Sequence, residues 1–169
     1  MKNEYQYKFR VEDKDAFIVK LKAKNILLLN PVNHKYTYFK SPKKENNIFT
    51  VLRIKESQNK KAIDMKVRNN ENGQWDRFES KIDNSEQVEN ILEKIGCKTI
   101  YTFHKTRQTF SNDFIRIDLD TIKELGTFLE VKFLANNKEK AEQFLTVLGV
   151  DLKKHDKRSI VEIYLSKRK

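Results

Sequence analysis

The chain has 169 residues, 38% hydrophobic and 35% charged, with a formal net charge of +11; this suffices to bury the core of one domain spanning residues 1–169, and the positive surplus favours an anionic partner. One cysteine, Cys97, excludes an intrachain disulfide framework and a thiolate zinc cage. No apolar run opens the chain, and the longest, Ile26 to Leu29, falls far short of the ~20 residues of a membrane span, so a cytoplasmic protein with no membrane partner is expected.

In chain order, period-two alternation predicts strands near 3–11, 34–40, 48–56, 61–69, 74–82, 98–109, 113–120 and 127–134. Apolar residues at three- and four-residue spacing predict helices near 13–24, 85–95 and 137–148, with a short one near 159–166. The few glycines punctuate this pattern. Gly73, in Asn70-Glu71-Asn72-Gly73, marks a hairpin, Gly96 and Gly149 stop helices, and Gly126 joins two strands. So many strands with short connections predict a sandwich or barrel with helices packed outside.

Residues of equal parity share a strand face. Gln6 and Lys8 oppose Tyr5, Tyr7 and Phe9; Arg53 and Lys55 oppose Leu52 and Ile54; Asp64, Lys66 and Arg68 oppose Ile63, Met65 and Val67. Arg77, Glu79 and Lys81 oppose Phe78 and Ile82, Arg116, Asp118 and Asp120 oppose Ile115, Ile117 and Leu119, and Glu130 and Lys132 oppose Leu129, Val131 and Phe133. The polar faces are almost purely ionic. Amphipathic helices need the apolar faces, so the ionic faces either meet solvent on an open sheet or line the inside of a closed one. A charged interior is costly unless its charges pair or enclose an ionic ligand. Strand 98–109 is mixed, with Lys105 and Arg107 sharing parity with Phe103. His34, His104 and His155 show no metal-ligand spacing.

At this point the chain resembles the CYTH superfamily of triphosphate tunnel proteins, which includes class IV adenylate cyclases and thiamine triphosphatases. Glu4-Tyr5-Gln6-Tyr7-Lys8 stands where the family has E-x-E-x-K, and Thr37-Tyr38-Phe39 resembles its Tyr-Phe strand. Leu52-Arg53-Ile54-Lys55 is similar to L-R-[IV]-[RK], and Lys105-Thr106-Arg107 to the K-x-R pair. The segment Leu119 to Glu130 is similar to L-D-x-[VI]-x-x-L-G-x-F-x-E. The resemblance implies an α+β fold with a closed eight-stranded antiparallel β-barrel, the triphosphate tunnel, and helices outside. It implies phosphate binding by Lys8, Arg53, Lys55, Lys66, Arg77, Lys105 and Arg107, and Mg2+ or Mn2+ held by Glu4, Glu79, Asp120 and Glu130. The implied activity is metal-dependent cyclisation or hydrolysis of a nucleoside or other organic triphosphate. Family cyclases imply a homodimer.

Three acidic family positions are altered: Gln6 in the first strand, Lys81 after Glu79, and Lys132 after Glu130. Relative to Glu, Gln6 adds one unit of charge and Lys81 and Lys132 two each, about five in all if every position lines the interior. The remaining acids, with Asp64 and Asp118 as further candidates, suit one cation better than two. A catalytic residue is not identified, and a second function stays open: a protein that binds or sequesters a nucleotide or polyphosphate without cleaving it. No recognised nucleic-acid motif is present, so nucleic acid is not an expected partner.

Overall fold

The computed structural model describes residues 4–24, 26–42, 48–69 and 75–168. The proposed turn at Gly73 and the side chains of Glu4 and Trp75 lie outside the described residues. Two compact units divide the chain: residues 1–32 with 105–169, and residues 33–104. Among the described residues the strands are antiparallel and run in the order β1 (Glu4–Val11), β9 (Gly126–Leu134), β8 (Arg116–Ile122), β7 (Lys98–Ser111), β3 (Val32–Lys40), β4 (Ile48–Ser57), β5 (Lys60–Asn69), β6 (Trp75–Lys81), with a short β2 (Leu27–Leu28) on β7.

In the first unit, β1 (Glu4–Val11) pairs with β9 (Gly126–Leu134), which pairs with β8 (Arg116–Ile122), which pairs with the later part of β7 (Lys98–Ser111). Alternation gives this sheet two faces. The apolar one presents Phe9, Ile117, Leu119, Leu129, Val131 and Phe133 to Phe17 and Leu21 of α1 (Lys14–Lys22) and to Ala141 and Leu145 of α3 (Lys138–Val147). Asp13 caps α1, its Oδ1 accepting from the Ala16 N–H at 2.9 Å. Between β8 and β9 the chain reverses at Gly126, whose φ of +92° is a left-handed conformation suited to glycine. The predicted short helix is α4 (Ile160–Ser166), started by a capping box between Ser159 and Glu162.

The second unit contains β3 (Val32–Lys40) from Asn33 on, β4 (Ile48–Ser57), β5 (Lys60–Asn69), β6 (Trp75–Lys81), α2 (Ser85–Lys94) and the start of β7. Its apolar face carries Phe39 and Ile54, packed with Leu92 and Cys97 and flanked by Leu52, Ile63, Ile82 and Val88. The expectation that helices cover the apolar strand faces therefore holds within each unit.

Two points differ from the sequence reading. Among the described residues the sheet has nine strands, because Leu27–Leu28 form β2 against Ser111 and Phe110. Both leucines are exposed, so no alternation announced the strand. The expected closed eight-stranded barrel is not shown: the order runs from β1 to β6, and no described pairing joins those two. On β1, moreover, the Lys8 carbonyl accepts from the Asp156 N–H at 2.8 Å, so the chain near its C-terminal end occupies that part of the strand's edge.

Candidate functional site: two ionic sheet faces

Opposite the α1–α3 core, the first unit carries an ionic face. Register puts Lys8 across from Glu130, Glu130 across from Asp118, and Arg107 across from Asp120. Asp120 is 1% exposed. Its Oδ2 accepts from Lys105 Nζ and Arg107 Nη2, and its Oδ1 from Arg107 Nε, each at 2.6 Å. The same Arg107 Nη2 donates to Glu130 Oε2 at 3.1 Å, and Arg107 Nη1 lies 3.0 Å from Asp118 Oδ2. One guanidinium thus serves three carboxylates, as its planar fork allows.

Asp118 is fully buried and is a second hub. It accepts from Thr109 at 2.7 Å and from Arg116 Nε at 3.1 Å, and pairs with Lys132 at 3.6 Å. Burial alone would raise the Asp118 and Glu130 carboxyls. Arg107 chiefly reverses this for Asp118, and Lys105, Arg107, Lys8 and Lys132 do so for Glu130, so both are held below the ordinary carboxylate range.

Lys8 is 7% exposed and its Nζ donates to the Arg158 carbonyl at 2.5 Å. Burial pushes its ammonium down, against the pull of Glu130, Asp156 and Glu162. The segment before α4 places this carbonyl: His155 packs on Tyr7 and Phe9, with ring centroids 4.8 and 5.9 Å away, while Asp156 bonds the Lys8 main chain. Tyr7 and Phe9 lie on the apolar face and Lys8 on the ionic one, so residues 155–158 turn around the edge of β1.

The second unit has its own ionic face. Asp64, fully buried, accepts from Arg53 Nε at 2.8 Å, Arg77 Nε at 2.9 Å and Lys55 Nζ at 3.3 Å. Glu79 accepts from Lys60 at 3.1 Å and also bonds Lys55 and Arg77. The hydrogen bond from Lys55, with those from Lys60 and the charge of Arg77, brings the Glu79 carboxyl down to about 2. Arg53 lies over the Tyr36 ring at 5.0 Å and donates to the Tyr38 hydroxyl at 3.1 Å. These two tyrosines thus pack against Arg53.

Of the expected phosphate binders, Lys8, Lys105 and Arg107 share the first unit's face, and Arg53, Lys55 and Arg77 that of the second. Lys66 lies on β5 opposite Val51 and Arg77. Of the expected metal ligands, Asp120 and Glu130 meet at Arg107, Glu79 belongs to the other unit, and the Glu4 side chain is outside the described residues. Lys81, exposed, faces Ala62 across β5–β6, whereas Gln6 and Lys132 are direct cross-strand partners. The sequence reading overlooked Arg116 as a functional residue, although its parity with Asp118 and Asp120 was visible. It had no means of finding the Arg158 carbonyl, since any residue supplies one.

Asp120 and Glu130 are the hard oxygen donors that Mg2+ or Mn2+ takes, and their converging oxygens already share one cationic nitrogen. No group of three or more His, Cys, Asp or Glu side chains that could hold a metal occurs among the described residues.

The CYTH domain model matches residues 2–160. The chain belongs to the CYTH family. Solved structures agree on the fold. A conserved hypothetical protein from Pyrococcus furiosus is 20% identical with a TM-score of 0.79, over 95% of this chain and 99% of that one. A candidate adenylate cyclase from Vibrio parahaemolyticus is 19% identical with a TM-score of 0.75, over 97% and 98%. HpAC1 from Hippeastrum, a candidate adenylyl cyclase described as having a dominant triphosphatase activity, is 16% identical with a TM-score of 0.68, over 99% and 96%. None of the curated proteins matches. No helix among the described residues is long and apolar enough to cross a membrane.

Proposed function

We propose that this CYTH chain binds a nucleoside or other organic triphosphate on its basic ionic faces and cyclises or hydrolyses it with one divalent cation. The observation that carries the reading is the buried cationic group of the first unit. Lys8 and Lys105 are each 7% exposed and the Arg107 side chain 13%, so three desolvated cations converge on the face that holds Asp118, Asp120 and Glu130. Desolvated cations are costly unless anionic groups complete their hydrogen bonds, and phosphate oxygens do so strongly. Closure of the sheet into a tunnel, which the family resemblance implies, belongs to this proposal, as does a homodimer.

Lys105 and Arg107 would orient the phosphate chain, and Lys8 would join them on exchanging the Arg158 carbonyl for a phosphate oxygen. Asp120 and Glu130 would hold the ion. When bound, Mg2+ or Mn2+ offsets phosphate charge and polarises the phosphorus under attack. Attack by a ribose hydroxyl yields a cyclic nucleotide and pyrophosphate, and attack by water yields hydrolysis. The cyclase and triphosphatase descriptions of the structural neighbours support this pair of reactions. Their low identity leaves the choice between them to experiment.

A second reading, binding without turnover, is favoured by the direct pairing of Gln6 with Lys132, where the family has carboxylates. One assay separates the two: ATP, thiamine triphosphate and tripolyphosphate are each incubated with Mg2+, Mn2+ or EDTA, products are resolved chromatographically, and binding is measured by calorimetry. Metal-dependent product formation is expected. Tight binding in EDTA with no product would establish the second reading, and failure to bind any of the three would overturn both.

A further inference from the structure

Across the first unit's sheet, successive rows of the ionic face change character. The row through Lys8, Glu130, Asp118 and Thr109 sets two adjacent acids between two donors. The next row, one pleat along, reads Gln6, Lys132, Arg116 and Ser111 and contains no carboxylate. Direct cross-strand neighbours lie only about 5 Å apart, so an amide, an ammonium and a guanidinium stand side by side.

The adjacent row holds two acids, Glu130, already drawn on by Lys105, Arg107, Lys8 and Lys132, and Asp118, which is engaged as well. A carboxylate offers about four lone-pair sites. Thr109, Arg107 and two nitrogens of Arg116 approach its oxygens at 2.7 to 3.1 Å. Lys132 is left at 3.6 Å, an ion pair beyond hydrogen-bonding distance. Asp118 therefore holds Arg116 through two of its nitrogens and leaves the Lys132 ammonium with hydrogen bonds to give. Their side chains keep 50% and 24% of their exposure, so an anion can reach both.

The structure assigns Gln6, Lys132 and Arg116 as an anion subsite that takes a phosphoryl group directly, without a bridging cation. This rests on the triphosphate reading above and refines it. Where Glu at positions 6 and 132 would need Mg2+ between protein and phosphate, this chain presents hydrogen-bond donors instead. Its preferred ligand is a polyphosphate chain long enough to run from Lys105 and Arg107 to this row. An orthophosphate offers one phosphoryl group and so cannot fill both places at once.

The test is calorimetric titration of the full chain with tripolyphosphate and with orthophosphate, in EDTA and in Mg2+. Wild type should bind tripolyphosphate in EDTA. Each of Arg116→Gln and Lys132→Gln should weaken that binding about tenfold, the scale of one charge-assisted hydrogen bond, with little effect on orthophosphate. The double variant Lys105→Met, Arg107→Met should weaken both ligands. Unchanged tripolyphosphate affinity in Arg116→Gln and Lys132→Gln, with loss in the Lys105/Arg107 variant, would overturn the subsite while the triphosphate reading stands. Binding that requires Mg2+ would do the same. No binding under either condition would sink both. Circular dichroism of each variant confirms that lost affinity is not lost fold.

Discussion

Replacing Asp120 by Asn tests the ionic face at its most buried point. Asp120 is 1% exposed, and Lys105, its partner, 7%. Three charge-assisted contacts of 2.6 Å end on this carboxylate. Each is worth about 1.5–3 kcal/mol taken singly, but they share one group and do not add. Removing one member of a buried ion pair costs about 3–5 kcal/mol, because the remaining charge stays desolvated. Asn keeps one carbonyl acceptor, and Arg107 retains Asp118 and Glu130, so the loss should fall near ~3 kcal/mol. At about 2–4 °C per kcal/mol for a chain of this size, the melting temperature should drop by about 6–12 °C. Urea denaturation followed by far-ultraviolet circular dichroism measures the free energy. Tripolyphosphate should then restore part of it, about 2.7 kcal/mol at a hundred times its dissociation constant. A loss below about 1 kcal/mol would refute the argument, since it would mean that Lys105 is solvated well enough to stand alone.

Further outcomes follow from the same contacts. Glu79 is held down to about 2, chiefly by its hydrogen bond from Lys55, and Asp64, Asp118 and Glu130 are also depressed by neighbouring Arg and Lys. Groups depressed on folding stabilise above their unfolded values and lose that contribution as pH falls, so denaturation midpoints should decline steadily from about pH 4.5 to pH 2; a flat profile there would contradict these pairings. Ser159→Ala removes the α4 capping box and should cost about 1 kcal/mol by urea denaturation, and no change would show that the cap is not holding the helix. Gln6→Glu with Lys132→Glu places two carboxylates directly across β1–β9. Mg2+-dependent turnover of ATP should rise and tripolyphosphate binding in EDTA should fall; no gain in turnover would show that missing ligands are not what limits catalysis.

Much of the fold was legible because the information is local. Parity along a strand needs only neighbouring residues, so the ionic and apolar faces, and the helices that cover the latter, could be read directly. The short β2 escaped because Leu27 and Leu28 are exposed and show no alternation. In the site, Lys105, Arg107 and Asp120 could be named from two short segments and their family resemblance. Their joint engagement could not, because it depends on the β7–β8 register.

The sequence by itself determined which side chains alternate, where the chain turns, and that three family acids are replaced. Tertiary structure decided which of those replacements act together. Gln6 and Lys132 lie 126 positions apart yet face each other across β1–β9, whereas Lys81 faces Ala62 in the other unit. It also decided that Asp156 and the Arg158 carbonyl close over Lys8. Pairing between distant strands is set by collective packing of the whole apolar face, and a main-chain carbonyl carries no residue-specific signal, so neither can be read from spacing along the chain.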